Sequence, residues 1–81
     1  MKITVKCFAL ARQLVEDDTV SVELTEGSTV DDLKKELALR FPQMDRVLNS
    51  SMIAVDGDYV PGNHPLLGME EVACIPPVSG G

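Results

Sequence analysis

Apolar residues recur along this chain with two different periods. Ile3, Val5 and Cys7 alternate with Lys2, Thr4 and Lys6, and Val20, Val22 and Leu24 alternate with Thr19, Ser21 and Glu23. A period of two puts the apolar side chains on one face of an extended chain, so both segments predict half-buried strands. Between them, Phe8 to Val15 is rich in helix formers and predicts a short helix or turn. The acidic run Glu16-Asp17-Asp18 closes it. Beyond Gly27 the period changes. Val30, Leu33, Leu37 and Phe41 recur at helical spacing and predict the main helix. Ser28 or Thr29 supplies its N-cap, and Asp31 or Asp32 completes a capping box. Pro42 disfavours helical backbone in the residue before it, which ends the helix near Arg40 or Phe41.

The second half reads as strands. Gln43 to Ser51 is expected to be a polar connection, with Val47 and Leu48 packed beneath it. Met52 to Val55 predicts a strand, Asp56-Gly57 a type I′ turn, and Asp58 to Val60 the returning strand. Leu66 and Leu67 are expected to pack inward, and Val72 to Ile75 forms the final strand. The order β, short helix, β, helix, β, β, β predicts an α+β domain: one mixed sheet of about five strands with one main helix across it. Residues 1–75 make the domain and residues 76–81 a flexible tail. If the first and last strands pair in parallel, the tail leaves from the centre of the sheet.

Composition narrows the function. Eighty-one residues with 44% hydrophobic content suffice for one small core. The formal charge of -6 argues against nucleic acid, which needs a basic footprint. Every Lys and Arg lies at or before Arg46, so the C-terminal segment has no cation near it in sequence. A partner must then supply the positive groups for any anionic substrate. No apolar run is long enough to span a membrane and no leader is evident, so a cytoplasmic protein is expected. Cys7 and Cys74 fit no metal-ligand spacing and read as small buried hydrophobes. His64 is the single histidine, in a loop, and reads as a surface residue. Asp31/Asp32 and Glu70/Glu71 are sequence neighbours that do not face one another; they read as helix capping and as surface. No internal catalytic constellation emerges, and the chain reads as a substrate of enzymes more than as an enzyme acting alone.

The end of the chain is different. Pro76-Pro77-Val78-Ser79-Gly80-Gly81 follows the last strand, and proline cannot donate to a ladder. At about 3.3 Å per residue this tail reaches roughly 20 Å. Gly80 and Gly81 carry no Cβ, so the tip can thread a narrow channel and present its carboxylate to another protein.

Three segments together bring a family into view: Ile3 to Arg12, with its Phe8-Ala9 turn; the hairpin Ile53 to Val60; and Glu71 to Gly81 with its Pro-Pro-Val-Ser-Gly-Gly ending. Over essentially its whole length the chain resembles the small subunits of molybdopterin synthase, ubiquitin-like β-grasp sulfur carriers. It departs from their pattern before the last strand, where Gly68-Met69-Glu70-Glu71 stands for Gly-Asp-Glu. The resemblance implies that an E1-like adenylating enzyme activates the Gly81 carboxylate with ATP, and that a sulfur donor converts it to a thiocarboxylate. Sulfur then passes to cyclic pyranopterin monophosphate in the large catalytic subunit, within a heterotetramer. It implies no bound cofactor and no metal site. Pro76, Pro77, Val78, Ser79 and Gly80 would thread into the partner, and Phe8, Leu66, Leu67, Met69 and Ile75 are candidates for an apolar docking patch. Of these, Phe8 and Ile75 read first as core residues and Met69 as the most exposed. Competing functions are a protein modifier joined to lysines through Gly81, a sulfur carrier for a thiolated tRNA base, thiazole or cysteine, and a binding module with an incidental tail.

Overall fold

A computed structural model describes residues 1–77. In chain order the elements are β1 (Lys2–Cys7), α1 (Ala9–Val15), β2 (Thr19–Glu23), α2 (Val30–Arg40), a 3-10 turn (Pro42–Met44), α3 (Asp45–Ser50), β3 (Met52–Val55), β4 (Asp58–Val60) and β5 (Val72–Ile75). They form one five-stranded sheet in the order β2-β1-β5-β3-β4. The β1–β5 pair is parallel, with Val5 opposite Val72, Lys6 opposite Ala73 and Cys7 opposite Cys74. The β1–β2, β3–β4 and β3–β5 pairs are antiparallel. The last strand therefore enters between two strands already placed, at the middle of the sheet. This is the mixed sheet and helix arrangement of the ubiquitin-like β-grasp fold.

The strand alternation follows the sequence. Along β1, Ile3, Val5 and Cys7 are buried while Lys2, Thr4 and Lys6 face water. The inner face of the sheet meets Val30, Leu33 and Leu37 of α2, which are at most 1% exposed. Thr29 caps α2: its Oγ1 accepts the Asp32 N–H at 3.4 Å, and the Asp32 carboxylate accepts the Thr29 N–H at 2.9 Å. The next two N–H groups of the helix would otherwise lack partners. Val30 N–H donates to the His64 carbonyl at 3.0 Å and Asp31 N–H to the Gly62 carbonyl at 2.8 Å. The loop around His64 thus closes the start of α2 through its backbone. At the hairpin, Asp56 (φ 50°) and Gly57 (φ 87°) both adopt positive φ, as a type I′ turn requires.

Two expectations need correction. Residues 43–51 are helical rather than a polar connection: the 3-10 turn and α3 fill most of the segment. Pro42 suits the first turn of a helix, where its missing N–H leaves nothing unpaired. Met44, Val47 and Leu48 then fall at i, i+3 and i+4 and complete the core. The Leu66-Leu67 pair also divides. Leu66 is 2% exposed, whereas Leu67 is 74% exposed. Leu66 N–H donates to the Ser28 carbonyl at 2.9 Å, which turns its side chain into the core and the next one out.

Met44 is fully buried where helices α1, α2 and α3 converge. Met44→Ala should cost about 2–5 kcal/mol, a large share of the roughly 4–12 kcal/mol expected for a domain of this size. Urea unfolding monitored by circular dichroism measures it; a loss under about 1 kcal/mol would contradict this packing.

Candidate functional site

The C-terminal segment is held at its root. In β5, Val72 and Cys74 point inward, and the Cys74 carbonyl accepts the Phe8 N–H at 3.3 Å. Ile75 is half-buried and Pro76 is buried, while Pro77 is exposed. Pro76 was expected to belong to the free tail; it packs instead on the domain, because the groove between α1 and α3 lies against it. That groove, about 750 Å³, is lined by Leu10, Leu14, Arg46, Val47, Ile75 and both prolines. Arg46, distant in sequence, is thereby carried to the tail root. The absence of a cation along the C-terminal sequence does not extend to the folded chain. Val78, Ser79, Gly80 and Gly81 lie outside the described residues.

The outer face of the sheet is divided lengthwise. On β2 and β1 it carries Thr19, Ser21, Glu23, Lys2, Thr4 and Lys6. On β5, β3 and β4 it carries Ala73, Ile75, Met52, Ala54 and Tyr59. The apolar half faces away from the helices. Tyr59 is 61% exposed and Met52 is half exposed. Phe8 joins this strip at the tail root with 40% exposure, contrary to the expectation of a core position. The reason is its place as the N-cap of α1, one residue beyond the alternation of β1. Lys6 Nζ stands 5.5 Å from its ring centroid, a cation–π contact that holds the ring at the surface. A shallow groove of about 510 Å³ runs along this face, lined by Lys6, Phe8, Tyr59, Ala73, Ile75 and the pair Glu70 and Glu71.

Of the docking candidates, Phe8 and Ile75 therefore meet at the root. Leu67 and Met69 project from the loop before β5, and Leu66 is a core residue. Sequence reasoning missed Tyr59 and Met52, although strand alternation opposite Ala73 and Ile75 was the signal that could have found them. It also missed Glu70, which reads as surface but organises the loop. Its carboxylate accepts the N–H groups of Leu67 at 2.6 Å, Gly68 at 2.7 Å and Met69 at 3.1 Å. Partial desolvation acts to raise its pKa, but the backbone N–H donors outweigh it and hold the group below the usual carboxylate range.

The two thiols lie side by side beneath the face. Cys7 and Cys74 are buried and unpaired by any disulfide. Burial, then the neighbouring Cys74 and Asp17, push the Cys7 thiol up to about 11. Burial likewise raises Cys74, against a hydrogen bond from Ser51 and the charge of Lys34. Both thiols are thereby held toward the neutral form, and the thiolate is the reactive one. Among the described residues no cluster of His, Cys, Asp or Glu is placed to hold a metal ion. No described helix is long and apolar enough to cross a membrane.

The sequence pattern of the ThiS family matches residues 5–81, the C-terminal glycines included. The chain belongs to the ThiS family. It is 32% identical to the molybdopterin synthase sulfur carrier subunit of Arabidopsis thaliana, across all of this chain and 84% of that protein. The crystal structure of SAMP1 from Haloferax volcanii superposes with a TM-score of 0.87 at 25% identity, covering both chains fully. Subunit 1 of the Helicobacter pylori molybdopterin-converting factor, solved in complex with subunit 2, shares the fold with a TM-score of 0.69 at 18% identity, again over both chains. In this ThiS-family chain the described root of the tail and the apolar strip meet at Ile75, which lines both grooves.

The burial of the two thiols in this ThiS-family chain makes a direct prediction. Iodoacetamide at about pH 8 should leave Cys7 and Cys74 unlabelled in the native chain on the timescale that alkylates a free cysteine, whose pKa is about 8.5. Both should react in urea. Native labelling at the free-thiol rate, read by mass spectrometry, would contradict the burial.

Proposed function

We propose that this chain is the sulfur-carrier subunit of a molybdopterin synthase, delivering sulfur as a thiocarboxylate on Gly81. The observation that carries this reading is the root of the tail. β5 is hydrogen-bonded on both sides at the centre of the sheet, Pro76 is packed, and the chain then continues to Gly80-Gly81 within the family match. A rigid base with a slim end is what delivery of a carboxylate into another protein's active site needs.

The chemistry is divided between proteins. An adenylating enzyme joins the Gly81 carboxylate to the α-phosphate of ATP and releases pyrophosphate. The acyl adenylate is electrophilic; a persulfide sulfur of the donor protein displaces AMP to form an acyl disulfide, and a second thiol attacks the donor's sulfur, forms a disulfide with it and releases the thiocarboxylate. ATP is bound by the activating enzyme, and this chain needs no cofactor of its own. In the large catalytic subunit each thiocarboxylate sulfur forms a C–S bond to the side chain of the cyclic pyranopterin monophosphate and displaces an oxygen: one leaves as water from the carbonyl carbon, and the other is the ester oxygen released when the cyclic phosphate opens to a monoester. Hydrolysis of the resulting acyl bond returns Gly81 to a carboxylate. Two cycles supply the two sulfurs of the dithiolene. The partner's cations neutralise the pterin phosphate, since the tail itself has none. The strip of Phe8, Ala54, Tyr59, Ala73 and Ile75 docks on the partner while Pro77 to Gly81 enters it. The assembly is a heterotetramer of two small and two large subunits in the cytoplasm. The sulfur-carrier name of the Arabidopsis relative favours this reading over a protein modifier.

Deletion of Gly81 should abolish dithiolene formation in an assay with the large subunit, adenylating enzyme, ATP and a sulfur source. The thermal midpoint should be unchanged, because the residue lies beyond the packed root. Undiminished pterin conversion by the deleted chain would overturn the proposal.

A further inference from the structure

The loop before β5 combines a fixed backbone with exposed apolar side chains. Leu67 is 74% exposed and Met69 is 91% exposed. A lone exposed apolar residue is ordinary. Here the three successive N–H groups of Leu67, Gly68 and Met69 all end on the Glu70 carboxylate. Gly68, at φ 102°, turns the chain against the Met1 side chain. The next residue is tied as well: Glu71 N–H donates to Asp56 Oδ1 at 2.9 Å, and the Glu71 carbonyl accepts the Asp56 N–H at 2.8 Å. Two large apolar side chains are thus held in water by a loop whose backbone has little freedom left to lose. A surface ordered in advance costs less to bind than one that must be ordered on contact.

Charge gives the partner's polarity. Around the loop stand the side-chain carboxylates of Asp56, Glu70 and Glu71, while Lys6, the cation lining the same groove, stands at its other end beside Phe8. Position gives the partner. The groove on the outer face extends from Glu70 and Glu71, past Tyr59 and Ala73, to Phe8 and Ile75 at the tail root. A protein that takes in the tail and covers the strip reaches this loop at its far end. We propose that Leu67-Gly68-Met69 is a preformed docking knob that seats in an apolar pocket, rimmed by Lys and Arg, on the large catalytic subunit. This rests on the sulfur-carrier reading. The large subunit is the fitting occupant because the Helicobacter pylori neighbour was solved in complex with its subunit 2, and a complex stable enough to isolate needs more buried area than a brief activation encounter. Leu67 and Met69 add that area to a strip of five side chains.

Titration calorimetry of the full chain with the large subunit tests it, with the adenylating enzyme as the comparison. The double variant Leu67→Ser/Met69→Ser should raise Kd for the large subunit by about tenfold or more, with an unchanged thermal midpoint. Glu71→Lys should also weaken binding and flatten its dependence on salt. Wild-type binding with a double variant within about twofold of it would overturn the knob alone. So would a loss confined to the adenylating enzyme. Failure of the wild-type chain to bind the large subunit would overturn the knob and the carrier reading together.

Discussion

The parallel pairing of β1 with β5 is the constraint on which the other features depend. It joins the two ends of the domain, and it is the one parallel contact in an otherwise antiparallel sheet. Parallel neighbours require a long crossover. Here everything from α1 to the loop at Glu70 lies between them, so the last strand closes a sheet whose other members are in place. Its inner residues, Val72 and Cys74, are then buried in the common core, and its outer residues, Ala73 and Ile75, are left on the open face. The chain continues past Ile75 with no choice of direction, because Pro76 is packed against the α1–α3 groove. Register at β5 therefore sets the starting point of the tail and the composition of the face beside it.

The same register explains the chemical quiet of the domain. It sets Cys7 opposite Cys74 in the sheet interior, where desolvation favours the neutral thiols. On the proposed cycle, in which the C-terminus passes through an acyl adenylate, the domain gains from having no accessible thiolate of its own. Charge is likewise distributed by the fold. The carboxylates of Glu70 and Glu71 line one end of the open face, while Lys6 and Arg46 stand nearer the tail root.

Much of this was legible from residue patterns. The strand alternations, the Thr29–Asp32 capping box and the Asp56-Gly57 turn are local signals, and local physics determines them. What escaped depended on contacts between distant segments. The helix over 45–50 has only Met44, Val47 and Leu48 to mark it, too short a stripe to stand apart from a polar connection. Leu66 and Leu67 are indistinguishable in sequence, and only the hydrogen bond of Leu66 to Ser28 decides which one enters the core. Phe8 looks like a core aromatic until its place as an N-cap is known. Arg46 is thirty residues from Pro76, and the fold alone brings them together. The tail lies at the other extreme: the chemistry proposed for it was read from Gly80 and Gly81 in the sequence alone.

The central claim is that Gly81 carries sulfur. Accurate mass of the C-terminal peptide beginning at Ile75, released from protein purified out of its own cells, tests it most directly. That peptide contains neither Met nor Cys, so oxidation cannot mimic the exchange of oxygen for sulfur. The account predicts a fraction of the peptide with one oxygen replaced by sulfur at Gly81, which shifts further on alkylation. A plain carboxylate on every free chain, together with a separate pool of Gly81 in amide linkage to lysines of other proteins, would contradict it.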